Sequence, residues 1–233
     1  ADCEPGQECQ LDTGWVLQLQ PNEAGVSRRL RAWIFTAVRS RHRFAWPIER
    51  ETTASAIEAC EAAWDFFGGI FAVLIPDNTK AIVQVADPLE PIINETFLEY
   101  SQSRNFQIDT ARVRKPKDKA RVERSVPTVR DDCFGGERIC TVEQGRERAR
   151  YWSLHEYGMQ KHSRTQRMPL EHFEAEEMAA LRPAPSERYD TPVWSEPKVC
   201  KDQHVQVCKA LYSMPRDFVG KTLRARADSQ LVR

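Results

Sequence analysis

Three carboxylates stand in three distinctive local settings. They are Asp12 in Gln10-Leu11-Asp12, Asp77 in Ile75-Pro76-Asp77-Asn78, and Glu123 closing Lys117-Asp118-Lys119-Ala120-Arg121-Val122-Glu123. Two divalent cations need a few acidic oxygens drawn from separate parts of a fold, and such a pair can activate one oxygen and stabilise another during phosphoryl transfer. Magnesium is hard, oxygen-seeking and slow to dehydrate, so one or two carboxylates per ion suffice. Each residue alone has a plainer reading. Asp12 could be one more surface acid among 34 Asp and Glu. Asp77 could cap a turn, and Glu123 could pair with Lys119 one helical turn earlier. Asp77 is the best placed, because a carboxylate just beyond a buried apolar strand lies where open α/β sheets hold ligands. The three together are more specific than any one.

The basic residues suggest what such a site would meet. Net charge is zero, so the total gives no hint of a polyanionic partner. Between Arg112 and Arg130, however, eight Lys or Arg face only Asp118 and Glu123. Local clusters matter more than totals for phosphate binding. Arg114, Lys115, Lys117, Lys119 and Arg121 are therefore candidates for phosphate contacts, which position a nucleic-acid backbone without reading its sequence. Lys80, close to Asp77, is a further candidate. The competing reading is a solvated helix face for the run and a solvated loop lysine for Lys80.

The elements that must position these groups can be read from periodicity. Residues 9–19, Leu30 to Val38 and Phe44 to Ile48 read as three strands of an antiparallel meander. Thr52 or Thr53 can cap a helix through about Phe67, with Ala56, Ile57, Cys60, Ala63, Trp64 and Phe67 at helical spacing and Gly68-Gly69 ending it. Ile70 to Ile75 is a continuous apolar run, the signature of a strand buried on both faces. Residues 94–104 read as a helix and Phe106 to Ile108 as a short strand. Pro116 can open a further helix, with Val122, Val126 and Val129 as its stripe and Pro127 shortening or kinking it. This order implies a mixed sheet covered by helices. It would set Asp12 on a central strand, Asp77 at the end of a neighbour, and Glu123 on a helix laid against the sheet.

Residues 138–180 read as helical. Their stretch 138–167 holds seven Lys or Arg against three Glu, which fits either a nucleic-acid contact or a solvated surface. Pro183, Pro185, Pro192 and Pro197 mark a linker, and residues 198–233 alternate as short strands of a small β module. The expected division is 1–135, 136–190 and 191–233. Trp33, Trp46, Trp64, Trp152 and Trp194 read as packing residues.

The bulk figures exclude some classes. With 41% hydrophobic and 29% charged residues, the composition is that of a globular chain rather than a disordered one. The longest apolar stretch, Phe66 to Pro76, is too short to span a bilayer, and no basic-then-apolar signal segment opens the chain. Seven cysteines without regular spacing suit cytoplasmic free thiols better than a disulfide framework. Cys133, Cys140, His155 and His162 fit no zinc spacing. The absence of an initiator Met before Ala1 suggests a fragment.

Four segments carry a family resemblance. They are Pro5-Gly6 with Gln10-Leu11-Asp12 and Gly14; Phe66-Phe67-Gly68-Gly69 leading to Pro76-Asp77-Asn78-Thr79-Lys80; Pro116 through Glu123; and His204-Val205-Gln206-Val207 with Tyr212-Ser213 and Val219-Gly220-Lys221. In this order they resemble the catalytic region of IstA-type transposases, the insertion-sequence-twenty-one family of bacterial DDE recombinases. The resemblance implies a ribonuclease-H-like mixed sheet flanked by helices (class α/β), followed by a small C-terminal β-barrel. It implies Asp12, Asp77 and Glu123 as the catalytic triad and the ligands of two Mg2+ ions, for which Mn2+ can substitute. The activity it implies is cleavage at transposon ends and transfer of the freed 3′-hydroxyl into target DNA. A homo-oligomer on DNA, an AAA+ ATPase helper, no membrane partner and a bacterial, nucleoid-associated cytoplasmic location also follow from it. The chain departs from the pattern at Thr13, where an aromatic is common, and at Thr79, where a Leu is common. The family's upstream helix-turn-helix region is not in this chain. Two rival readings are a DNA- or partner-binding module without chemistry, and a stand-alone nuclease with the same core.

Overall fold

The computed structural model describes residues 3–77, 79–85, 91–110, 125–163 and 165–233. They fall into two compact units, residues 1–187 and 188–233. Glu123, Arg114, Lys115, Lys117, Lys119 and Arg121, with the helix expected from Pro116 up to residue 124, lie outside the described residues.

The first unit is built on a five-stranded sheet. Strands β1 (Glu8–Gln18), β2 (Arg29–Ala37) and β3 (Arg43–Ile48) form an antiparallel meander. β4 (Val73–Pro76) then lies parallel to β1, and β7 (Gln107–Ile108) parallel to β4. The spatial order is therefore β3-β2-β1-β4-β7, with β1 in the middle. A separate short antiparallel pair joins β5 (Val83–Val85) to β6 (Ile92–Ile93).

Helix α1 (Thr53–Phe67) connects β3 to β4. The Thr52 hydroxyl accepts from the Ser55 N–H, and the Ser55 hydroxyl accepts in turn from the Thr52 N–H, so a capping box closes the helix start. Gly68, at φ 76°, ends it in the left-handed conformation that costs glycine nothing. The buried strand begins later than the apolar run predicts. Ile70 exchanges both backbone hydrogen bonds with Arg182 before the chain enters the sheet at Val73. Gly69 allows this crossing, since a Cβ there would lie 2.7 Å from the Arg182 carbonyl oxygen.

The alternation of β1 gives the sheet two faces. On one, α1 packs through an aromatic cluster in which Phe35 meets Trp64 and Phe44 stacks on Phe66 with centroids 4.5 Å apart. On the other, Val16, Leu30, Ala32, Ile34 and Ala45 pack against Val129, Cys133, Phe134, Ala149 and Trp152. These last come from α3 (Ser125–Thr128), a π-helical turn at Val129–Cys133, and α4 (Val142–Tyr151) with its own π-helical extension, Trp152–Glu156. Pro127 lies inside α3, and the winding changes two residues later, at Val129. Helix α2 (Glu95–Ser103) and helix α5 (Pro169–Glu176) complete the unit. All seven cysteines are free thiols.

The second unit has a small core of Val199, Val205, Val207, Ala225 and Ala227. Its strands pair as β9 (His204–Val207) with β10 (Ala210–Ser213), and β8 (Val193–Ser195) with β11 (Ala225–Ala227). The expected small barrel or half-barrel is not confirmed: the strands form two separate two-stranded ladders and no closed barrel. The physical reason is strand length. Closure needs enough tilted, staggered residues per strand to bond both neighbours, and these strands run three or four residues.

Candidate active site

Parallel pairing builds the site. β1 and β4 run side by side with Leu11 opposite Pro76, so the next residues along the two strands are Asp12 and Asp77. The register is held one step further by the Asp77 N–H, which donates to the Leu11 carbonyl at 2.8 Å. Asp12 lies within β1, buried at 5% exposure, whereas Asp77 emerges from the strand end and is exposed. Two of the three carboxylates expected together thus do meet. Glu123 is not among the described residues, but Ser125, two positions later in the chain, is at the site.

Ser125 caps Asp12 from above. It is 2% exposed, and its hydroxyl donates to Asp12 Oδ2 at 2.7 Å. Close approach of α3 to β1 depends on Gly14. Asp12 and Gly14 project to the same face, and a Cβ on Gly14 would meet both methyls of Val126, at 2.5 and 2.7 Å. Any larger residue at 14 would push Val126 away and Ser125 with it.

Burial pushes the Asp12 carboxyl up to about 7, against the Ser125 hydrogen bond, which holds it down. The nearby Asp77 carboxylate adds to the rise, and the Arg43 charge opposes it. Arg43 lies beyond Gln10 and Thr36 on the same sheet face, buried, and donates from Nε to the Thr36 hydroxyl at 3.2 Å. No ion pair to Asp12 is formed among the described residues. The donor set fits a hard divalent cation in kind: two carboxylates on adjacent strands, one buried and one at the mouth. Among the described residues no third His, Cys, Asp or Glu joins them.

Behind Asp77 the chain is tied down. The Thr79 N–H donates to the Asp77 carbonyl at 2.7 Å, and the Ile82 and Val83 N–H groups donate back to the Thr79 carbonyl. The Thr79 hydroxyl donates to Glu51 Oε1. Glu51 also pairs with Arg31 at 2.7 Å and accepts from the Thr13 hydroxyl at 3.5 Å. Thr13 and Thr79, the two departures from the family pattern, therefore share one carboxylate. Neither Ser125 nor Glu51 was expected from the sequence. Lys80 lies in the turn that follows Asp77 and is exposed.

Several arginines of the 138–167 stretch are engaged inside the unit. Arg146 pairs with Glu58 and lies 4.1 Å from the Trp46 ring centroid; Arg148 bridges Glu137 and Glu156; Arg167 pairs with Glu176. Trp33, Trp64 and Trp152 are buried, as expected of packing residues. Among the described residues, no helix is long and apolar enough to cross a membrane.

Comparison with known proteins bears on this geometry. Residues 184–233 match the family described as Mu transposase, C-terminal domain. The chain is 35% identical over 233 residues to the Mycobacterium tuberculosis protein named "Putative transposase Rv3428c", covering 98% of this chain and 56% of that one. It is 24% identical over 229 residues to the transposase for insertion sequence element IS21 of Pseudomonas aeruginosa, covering 97% of this chain and 54% of the relative. The chain thus spans about half the length of the curated relatives it matches. In fold it is similar to a chain of a simian T-cell lymphotropic virus intasome, solved with a PP2A regulatory subunit, at a TM-score of 0.54 and 12% identity over 99% of this chain and 76% of the other. The likeness is one of fold, which in this chain is a mixed sheet with helices on both faces. Over nearly its whole length, then, this chain is a relative of the insertion-sequence transposases, those of IS21 elements among them.

Proposed function

We propose that this chain carries the DNA-cleaving and strand-joining site of an insertion-sequence transposase, with Asp12, Asp77 and Glu123 as its carboxylates. The adjacency of Asp12, within β1, and Asp77, at the end of the parallel neighbour β4, carries the reading. A pair of Mg2+ ions, or Mn2+ in their place, would supply activation of an attacking oxygen and stabilisation of the leaving one. Asp12 and Asp77 offer the oxygens that hold such ions, and Glu123, two residues before the Asp12-bound Ser125, is the third donor of the proposal. Ser125 orients Asp12 by its hydrogen bond. Lys80 next to the site, with Arg114, Lys115, Lys117, Lys119 and Arg121, would hold the DNA backbone by phosphate contacts. The partners of this reading are transposon ends and target DNA, a second copy of the chain on DNA and an AAA+ ATPase helper, in a bacterial cytoplasm at the nucleoid.

The test is a Mn2+-dependent reaction of the chain with plasmid DNA and an oligonucleotide ending in a free 3′-hydroxyl. Nicking together with joined oligonucleotide is expected, and both are expected to vanish in Asp77→Asn with the fold intact. Joining by Asp77→Asn at the wild-type level would overturn the assignment. Nicking without joining would identify a nuclease of the same core, and folded protein that binds DNA without either reaction would identify a binding module.

A further inference from the structure

We infer that Glu51 is a positioning residue for Asp77, acting through the Thr79 hydroxyl; the inference rests on the proposed role of Asp77. Glu51 lies between β3 and the capping box of α1, 26 positions before Asp77 in the chain. Its side chain nevertheless gathers three parts of the site. Oε2 holds Arg31 of β2 and Thr13 of β1, and Oε1 takes the hydroxyl of Thr79 from the turn after β4. The turn is gripped at its other end by α1, because the Thr53 hydroxyl donates to the Ala81 carbonyl at 2.8 Å.

The consequence for Asp77 follows from its own backbone. Its N–H is held by Leu11 and its carbonyl by the Thr79 N–H, so the orientation of the residue depends on where Thr79 sits. A hydrogen-bonded chain runs from Glu51 to Thr79 to Asp77, with Arg31 paired to the carboxylate at its origin. Groups that orient a ligating side chain from behind commonly change metal affinity by about 10- to 100-fold when removed. Thr13 sets the same strut against β1 one residue beyond Asp12, on the opposite face. Glu51 thereby references both acidic strands to one point.

The experiment measures Mn2+ affinity of the whole chain by titration calorimetry, with thermal unfolding and amide exchange over residues 77–83 in the absence of metal. Glu51→Ala and Thr79→Val are expected to weaken Mn2+ binding by about 10-fold or more and to speed exchange in that turn, while Thr79→Ser keeps both near the wild-type values. Arg104→Met, which breaks the buried pair with Glu61 far from this turn, serves as a control that loses stability but not Mn2+ affinity. Asp77→Asn is run beside them. If it loses Mn2+ binding while Glu51→Ala and Thr79→Val bind as the wild type does, the Glu51 inference is wrong and the site assignment stands. If Asp77→Asn itself binds Mn2+ normally, both are wrong.

Discussion

Two carboxylates flank β1, and they are treated in opposite ways. On the α1 face Glu51 is met by Arg31 and by two threonine hydroxyls, so its charge is matched within the fold. On the α3 face Asp12 is buried, receives one hydroxyl hydrogen bond, and has a second carboxylate as its neighbour along the sheet. A carboxylate with a cation beside it completes a structure. A buried carboxylate placed next to another leaves an electrostatic deficit that a proton or a divalent cation can fill. On the proposed reading, the difference separates a residue that builds the site from one that works in it.

Removing the working carboxylates should have the largest effect. Asp12→Asn or Asp77→Asn is expected to lower DNA nicking and joining by at least about a thousandfold, since metal-held charge contributes several kcal/mol to such a transition state; a residual rate near wild type would erase the distinction between the two faces. A stability effect of roughly a few kcal/mol comes next, and its sign depends on pH. The folded chain holds the Asp12 proton up to about 7, whereas the unfolded chain releases it near the ordinary carboxyl value of 3.8. Between those values the folded state binds more protons, so metal-free stability falls as pH rises and the loss is complete above about 7. Asp12→Asn should remove that fall, being more stable than wild type at pH 8 in chelator and losing the advantage toward pH 4, as read by chemical denaturation. Identical pH profiles would show that Asp12 is not buried as a carboxylate.

Gly14→Val sharpens the comparison from the backbone side. Overpacking against Val126 is expected to cost about 1–3 kcal/mol and to weaken Mn2+ binding by displacing Ser125, whereas an unchanged denaturation midpoint would mean that α3 does not rest on β1. The smallest effect belongs to Lys80. If it contacts one phosphate, Lys80→Ala should reduce the salt dependence of DNA binding by about one in the log–log slope, with no effect on metal affinity.

Much of this architecture was legible in the sequence, for reasons that can be named. Strands β1 to β3 declare themselves by β-branched and aromatic runs separated by turns, and α1 by a capping box, a periodic apolar stripe and a terminal Gly pair. Asp77 was found because a strand buried on both faces is continuous in apolar residues, and its end is therefore visible. Ser125 and Glu51 were not, because each is a single polar residue whose partner is remote: 113 positions separate Ser125 from Asp12 and 28 separate Thr79 from Glu51. The ambiguity of Arg146 in the 138–167 stretch has the same origin, since its partner Glu58 lies on α1, far earlier in the chain. The barrel expected for the C-terminal module is not confirmed. Alternation reveals that short segments are strands, but not whether they are long enough to close on one another.

The central claim is that Asp12 and Asp77 share one cation site, and Mn2+ binding tests it directly. Titration calorimetry on the wild-type chain, Asp12→Asn and Asp77→Asn at pH 8 should show binding in the wild type and strong weakening in both variants, each remaining folded by circular dichroism. Mn2+ binding of wild-type strength in both variants would contradict the account.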